Sequence, residues 1–131
     1  MRAPHRPGGL AALDAATGQT RWRVEGRDPV CSWGAEGCVA AHVAAATAIP
    51  GVVFSGAWDG HLRAYATRDG SLLWDFDTGR SFDAVNGIPA TGGQVSGWPQ
   101  IVADGALYVT SGASSMDRPG NALLVFSVDG K

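Results

Sequence analysis

Residues 51–76 read GVVFSGAWDGHLRAYATRDGSLLWDF. Three apolar runs lie in this stretch: Val52-Val53-Phe54-Ser55, Leu62-Arg63-Ala64-Tyr65-Ala66 and Ser71-Leu72-Leu73-Trp74-Asp75. Asp59-Gly60 separates the first from the second, and Asp69-Gly70 the second from the third. An Asp-Gly pair between apolar runs is the strongest short-range hairpin signal. The stretch therefore predicts an antiparallel meander of three strands.

Much of this unit recurs on both sides. ALDAATGQTRW at residues 12–22 and AYATRDGSLLW at residues 64–74 hold alanine, turn glycine and tryptophan at the same offsets. A third copy begins with LLVFSVDG at residues 123–130, just before the chain ends at Lys131. Repeats of about 40–50 residues with several strands each are the signature of propeller blades. The alanine lets neighbouring backbones approach, and the glycine reverses the chain. The tryptophan closing each outer strand, Trp22 or Trp74, has a broad face to lay across the next blade.

The expected fold is all-β: a partial β-propeller of about two to three four-stranded antiparallel blades. Residues 10–24 form the outer half of one blade. Residues 44–75 form a full blade, with the innermost strand at 44–49. Residues 97–128 form an incomplete blade, with 97–102 innermost. Ending after a third strand reads as the C-terminal end of a ring whose start lies elsewhere.

Composition agrees. The 19 glycines are about twice the usual share of ~7%, as many tight turns require. Net charge is -2, and Lys131 is the only lysine. With arginines scattered singly, no nucleic-acid or anionic-membrane partner is expected. No apolar stretch nears the ~20 residues that span a bilayer. The opening MRAPHRPGG has charge without an apolar run behind it, so it does not read as a secretory signal.

The AxDxxTGxxxW pattern of residues 12–22 resembles the tryptophan-docking repeat of the quinoprotein dehydrogenases, whose propellers carry pyrroloquinoline quinone (PQQ). Two inter-blade stretches also resemble the polyvinyl-alcohol-dehydrogenase-like members. These are CSWGAEGC at residues 31–38 and FDAVNGIPATGG at residues 82–93. The resemblance implies alcohol oxidation with PQQ and calcium. A carboxylate base takes the hydroxyl proton, calcium polarises the quinone, and hydride goes to its C5 carbonyl. Electrons then pass to a cytochrome c. It also implies a periplasmic or secreted location, with the remaining propeller blades as partners. The chain is too short to enclose a cofactor, so it is not expected to be active alone. The rival reading is a cofactor-free propeller module that scaffolds other proteins.

Both inter-blade connections are about 20 residues long where ~2–6 is ordinary, and long loops on rigid scaffolds carry function. The candidate cofactor-binding residues are Trp33, Asn86 and Trp98, and the candidate metal ligands are Asp83 and Asn86. A flat indole could stack on a quinone, and carboxylate or amide oxygens suit calcium. The bland alternative is that Asp83 and Asn86 satisfy their own loop. Cys31 and Cys38 read either as a disulfide, which needs an oxidising compartment, or as two independent small buried residues. They lack the paired CxxC of a zinc site, and no CxxCH marks a c-type haem. His42 and His61 read as satisfied polar residues, because no Ser, His and Asp set has a nucleophile arrangement. Trp58 reads as packing, and Asp117-Arg118 as a solvated pair.

Overall fold

A computed structural model describes residues 8–98, 100–113 and 118–128. Eleven strands and no helix are present among them. No helix is therefore long and apolar enough to cross a membrane.

The first sheet is the antiparallel pair β1 (Leu10–Leu13) and β2 (Thr20–Val24). The second has four strands in sequence order: β3 (Thr47–Ile49), β4 (Val52–Gly56), β5 (His61–Ala66) and β6 (Leu72–Asp77). A two-stranded hairpin follows, β7 (Ser81–Asp83) and β8 (Pro89–Thr91). The last sheet is β9 (Ile101–Ala103), β10 (Ala106–Ser111) and β11 (Ala122–Phe126). All pairings are antiparallel between sequence neighbours, as in a chain of propeller blades.

The alternation of the 51–76 stretch explains where the core lies. In register, Phe54 opposes Ala64, Ala64 opposes Trp74, and Leu62 opposes Phe76. One face of the second sheet thus carries Phe54, Leu62, Trp74 and Phe76, and it packs on Leu107, Val109, Leu124 and Phe126 of the third. Phe126 meets Trp74 and Phe76 edge-on, with ring centroids 5.1 and 4.9 Å apart. A cavity of about 350 Å³ remains in this interface, at the end where β3 turns into β4 and β9 into β10.

The first sheet docks on the second by its tryptophan. Trp22 Nε1 donates to the Thr67 carbonyl at 2.8 Å. Its ring covers Gly70, where a Cβ would lie 2.6 Å from Trp22 Cε3. Gly70 also has φ +73°, so both the backbone and the packed indole require glycine there.

Two details differ from the sequence expectation. β3 and β9 are shorter than the expected innermost strands 44–49 and 97–102, because residues 40–46, 92–98 and 100 are occupied in crossing between sheets. Residues 82–93, read as loop, contain most of the β7–β8 hairpin. That hairpin is held by stacking: Phe82 lies parallel to Phe76 at 6.4 Å, and the Arg80 guanidinium sits 5.0 and 5.2 Å from the two rings. The start of the third repeat is β11, but its Asp129-Gly130 turn lies outside the described residues, as do Asp117 and Lys131.

Candidate functional site on the connection face

The β4–β5 turn, the β10–β11 loop and all the inter-sheet connections emerge at one end of the strands. The β6–β7 corner seats the other connections. Asp77 accepts hydrogen bonds from Gly79 N at 2.8 Å and Ser32 Oγ at 3.2 Å. Thr78, fully buried, donates to the Gly60 carbonyl at 2.6 Å, and Thr78 Oγ1 lies 2.8 Å from Ser111 Oγ. Ser111 in turn accepts from Gly93 N at 3.0 Å. Strands β6 and β10 and both connections are thereby joined through two hydroxyls.

Trp33 lies over this corner. It sits in the short loop closed by a disulfide between Cys31 and Cys38, whose Cα atoms are 5.9 Å apart. The six-membered ring of Trp33 covers Gly79 and Gly60, where added Cβ atoms would lie 2.6 and 3.0 Å from Cζ3. The Arg118 guanidinium stands 5.8 Å from the ring centroid. Its carbonyl accepts from Gln94 N at 3.2 Å. Arg118 is therefore bound into the site through an indole and a neighbouring connection.

Several buried polar atoms on this face have no hydrogen-bond partner among the described residues. They are Trp33 Nε1, Trp58 Nε1, Gln94 Nε2, Ser96 Oγ and both side-chain polar atoms of Gln100. Gln94 and Gln100 are 1% and 2% exposed. An unsatisfied buried polar group costs about 1–3 kcal/mol, and each such group marks a place where a polar ligand or water completes the structure.

The other candidates lie apart from this cluster. Trp98 is exposed beside the buried 92–96 segment. Asp83 is exposed on β7. Asn86 is exposed at the hairpin tip, and its Oδ1 accepts from Ile88 N at 3.1 Å. Among the described residues no group of three or more His, Cys, Asp or Glu side chains converges as a metal site.

A second polar set lies on the other face of the second sheet, where Ser55, Arg63 and Asp75 are cross-strand neighbours. Asp59 is fully buried and holds Arg63 by two hydrogen bonds of 2.6 and 3.2 Å. Arg63 also donates to Asp75 at 3.1 Å, and His61 Nδ1 lies 2.5 Å from the other Asp75 oxygen. Burial opposes ionisation of Asp75, but the His61 hydrogen bond and the Arg63 charge outweigh it and hold the carboxyl below its ordinary range. His42 Nδ1 is 2.8 Å from Ser55 Oγ, and Nε2 is 3.4 Å from the Tyr65 hydroxyl. Burial first, and the Arg63 charge second, lower the His42 pKa. A neutral histidine beside a serine could in principle act as a base. Both ring nitrogens of His42 are, however, already engaged by the Ser55 and Tyr65 hydroxyls, so the pair is structural.

Sequence reasoning singled out Trp33 and offered the Cys31–Cys38 disulfide, which is present, but gave no role to Arg118, Gln94 and Gln100, which carry no local motif. It also placed Asp59 only in a turn. A charge at Arg63, flanked by Leu62 and Ala64 inside an apolar run, was the available sign that a carboxylate is buried nearby.

A four-stranded sheet in sequence order beside a three-stranded one, with a tryptophan of the preceding sheet laid on its turn glycine, defines a section of a quinoprotein-type β-propeller. The family model described as outer membrane protein assembly factor BamB, a PQQ-type repeat model, matches residues 5–95, and the chain belongs to that family. The chain is 38% identical to a polyvinylalcohol dehydrogenase of Sphingopyxis sp. (strain 113P3), over 94% of its own length and 21% of that protein. It is 39% identical to a polyvinylalcohol dehydrogenase of Pseudomonas sp., with the same shares covered. It is 34% identical to a 1-butanol dehydrogenase (quinone) of Thauera butanivorans, over 66% of this chain and 16% of that protein. The chain thus spans about a fifth of the length of the first two relatives. Among solved structures, BamB from Moraxella catarrhalis is similar with a TM-score of 0.48 and 23% identity, over 96% of this chain and 46% of that one.

Proposed function

We propose that the chain is a section of a PQQ-dependent alcohol dehydrogenase propeller, and that its connection face forms part of the wall of the quinone site. The observation that carries this reading is the pair of buried, unpartnered donors Trp33 Nε1 and Gln94 Nε2, both tied to Arg118, one through the ring and the other through the Gln94 N bond to the Arg118 carbonyl. PQQ is an ortho-quinone with three carboxylates. Amide and indole donors next to a guanidinium suit such a polyanion, so the residues present fit the group. Arg118 would neutralise a carboxylate. Gln94 and Trp33 Nε1 would donate to its oxygens. When bound, PQQ supplies the two-electron acceptor for an alcohol. The disulfide and the hydroxyl pair Thr78–Ser111 keep these donors in place.

Calcium fits less well. Asp83 and Asn86 are exposed, and the Asn86 oxygen is already engaged in its own turn. Calcium takes 6–8 oxygen ligands, so a calcium site would need others from outside the described residues. The catalytic base, the cytochrome acceptor and the rest of the ring would likewise come from outside this chain. The disulfide suits an oxidising, periplasmic compartment.

Titration of the purified chain with PQQ, followed by tryptophan fluorescence, tests the reading. Saturable quenching is expected, weakened about tenfold by Arg118→Ala, a loss of ~1.4 kcal/mol. Linear quenching, equal in both proteins, would support the cofactor-free scaffold instead, a reading favoured by the assembly-factor description of the matching family. No dye reduction by the isolated chain with alcohol, PQQ and calcium is expected.

A further inference from the structure

The innermost strands of the second and third sheets meet at Gln100, the residue before β9. Thr47 on β3 donates its hydroxyl to the Gln100 carbonyl at 2.5 Å. Val95, on the same connection, donates its N–H to the Ala57 carbonyl at 3.1 Å. A Cβ built at Gly56, the last residue of β4, would lie 2.2 Å from Val95 Cγ1 and 3.1 Å from Gln100 Nε2. The Gln100 side chain is therefore seated beside Val95 against the end of β4, in space that a glycine at 56 leaves open.

That side chain is spent on nothing. Gln100 is 2% exposed, and neither Nε2 nor Oε1 has a hydrogen-bond partner among the described residues. A carboxamide offers two N–H donors and two acceptor lone pairs. Its neighbour Val95 belongs to the apolar core with Ala44 and Leu62, whose side chains have nothing to bond with. A polar group so placed is retained only when something hydrogen-bonds to it.

We infer that this seat binds a buried water molecule, held by the Gln100 carboxamide and the Thr47 hydroxyl. A water both accepts from Nε2 and donates to Oε1, whereas a cation suits only the oxygen and an anion only the nitrogen. Thr47 Oγ1 gives its proton to the Gln100 carbonyl and keeps its lone pairs for the water's second proton. Those contacts make up about the usual number for a buried water. The water thus belongs to the joint between two blades. The inference does not depend on the quinone reading, which rests on Gln94 and Trp33.

Nuclear Overhauser spectra of the isotope-labelled chain test this. The Gln100 side-chain amide is identified by its connectivity to the backbone, which needs no variant. Its protons should show a direct cross-peak to a water that tumbles with the protein. They should also exchange with solvent about tenfold more slowly than those of the exposed Gln19. Magnetic relaxation dispersion of the solvent should then count at least one long-lived water fewer in Gln100→Met, which keeps the length and lacks the hydrogen-bonding groups. A slowly exchanging Gln100 amide without the water cross-peak overturns the inference, because a protein group then satisfies it. So does exchange as fast as that of Gln19, or an equal water count in a folded Gln100→Met chain. Loss of the cross-peak on adding PQQ would make the quinone the occupant, and overturns it as well.

Discussion

The indole nitrogen of Trp22 donates to the carbonyl of Thr67 across two sheets, at 2.8 Å. That bond, with the ring seated on Gly70, turns a local repeat into a joint between blades. The same indole fills space that any Cβ at Gly70 would need.

Replacing Trp22 with Phe removes the hydrogen bond and keeps most of the apolar area. The expected loss is about 0.5–1.5 kcal/mol. Gly70→Ala adds a Cβ 2.6 Å from Trp22 Cε3 at φ +73° and should cost at least the ~1–2 kcal/mol of a left-handed non-glycine residue. Urea unfolding of both variants checks this, and a Gly70→Ala chain as stable as the parent would refute the joint.

Arg63 is 2% exposed and is held by Asp59 and Asp75. Truncating it strands a carboxylate in the interior, so Arg63→Ala should cost about 3–5 kcal/mol. Removing charge from both sides, as in Arg63→Met with Asp59→Asn, should recover much of that loss. Guanidinium melts of the single and double variants give the answer.

Stability should fall on mild acidification because of His42. Burial lowers its folded pKa below the usual 6.5. The unfolded chain therefore takes up the proton first, and the contribution is complete above about pH 6.5 and lost as pH falls through the folded value. Asp59, Arg63 and Tyr65 face this ring or lie near it, and the Asp75 carboxyl, held below 3.8, titrates in a separate and more acidic window. The melting temperature should drop as pH falls below about 6.5, and His42→Gln should flatten that slope while leaving the acid limb.

Reducing the Cys31–Cys38 bridge opens a short loop whose closure is worth about 2–3 kcal/mol. Trp33 sits inside that loop and on Gly79. A thiol reductant should therefore lower the melting temperature and red-shift the tryptophan emission together. Trp33→Phe should abolish the spectral part and keep the thermal one.

The hairpin β7–β8 shows how far the sequence was legible. Its strands are three residues each, too short for alternation to declare them, and Pro89 argues against a strand. Yet Asn86-Gly87 is a hairpin dipeptide, and Gly87 N does close on the Ala84 carbonyl at 2.9 Å. That cue outweighed the proline because Phe82 stacks on Phe76 and Arg80 caps both rings. The meander at residues 51–76, by contrast, declared itself, since each of its signals acts within a few residues.

The amino-acid order alone determined the repeat: strand periodicity, Asp-Gly turns, and an alanine, glycine and tryptophan at constant offsets. These are local preferences and survive without knowledge of neighbours. Tertiary structure alone decided which polar groups are buried and which find partners. Asp59 entered the core because Arg63 met it there, and Arg118 joined Trp33 from a distant loop. Gln94 and Gln100 were left with unspent hydrogen bonds. Burial and desolvation depend on what packs from another sheet, and no spacing along the chain encodes that.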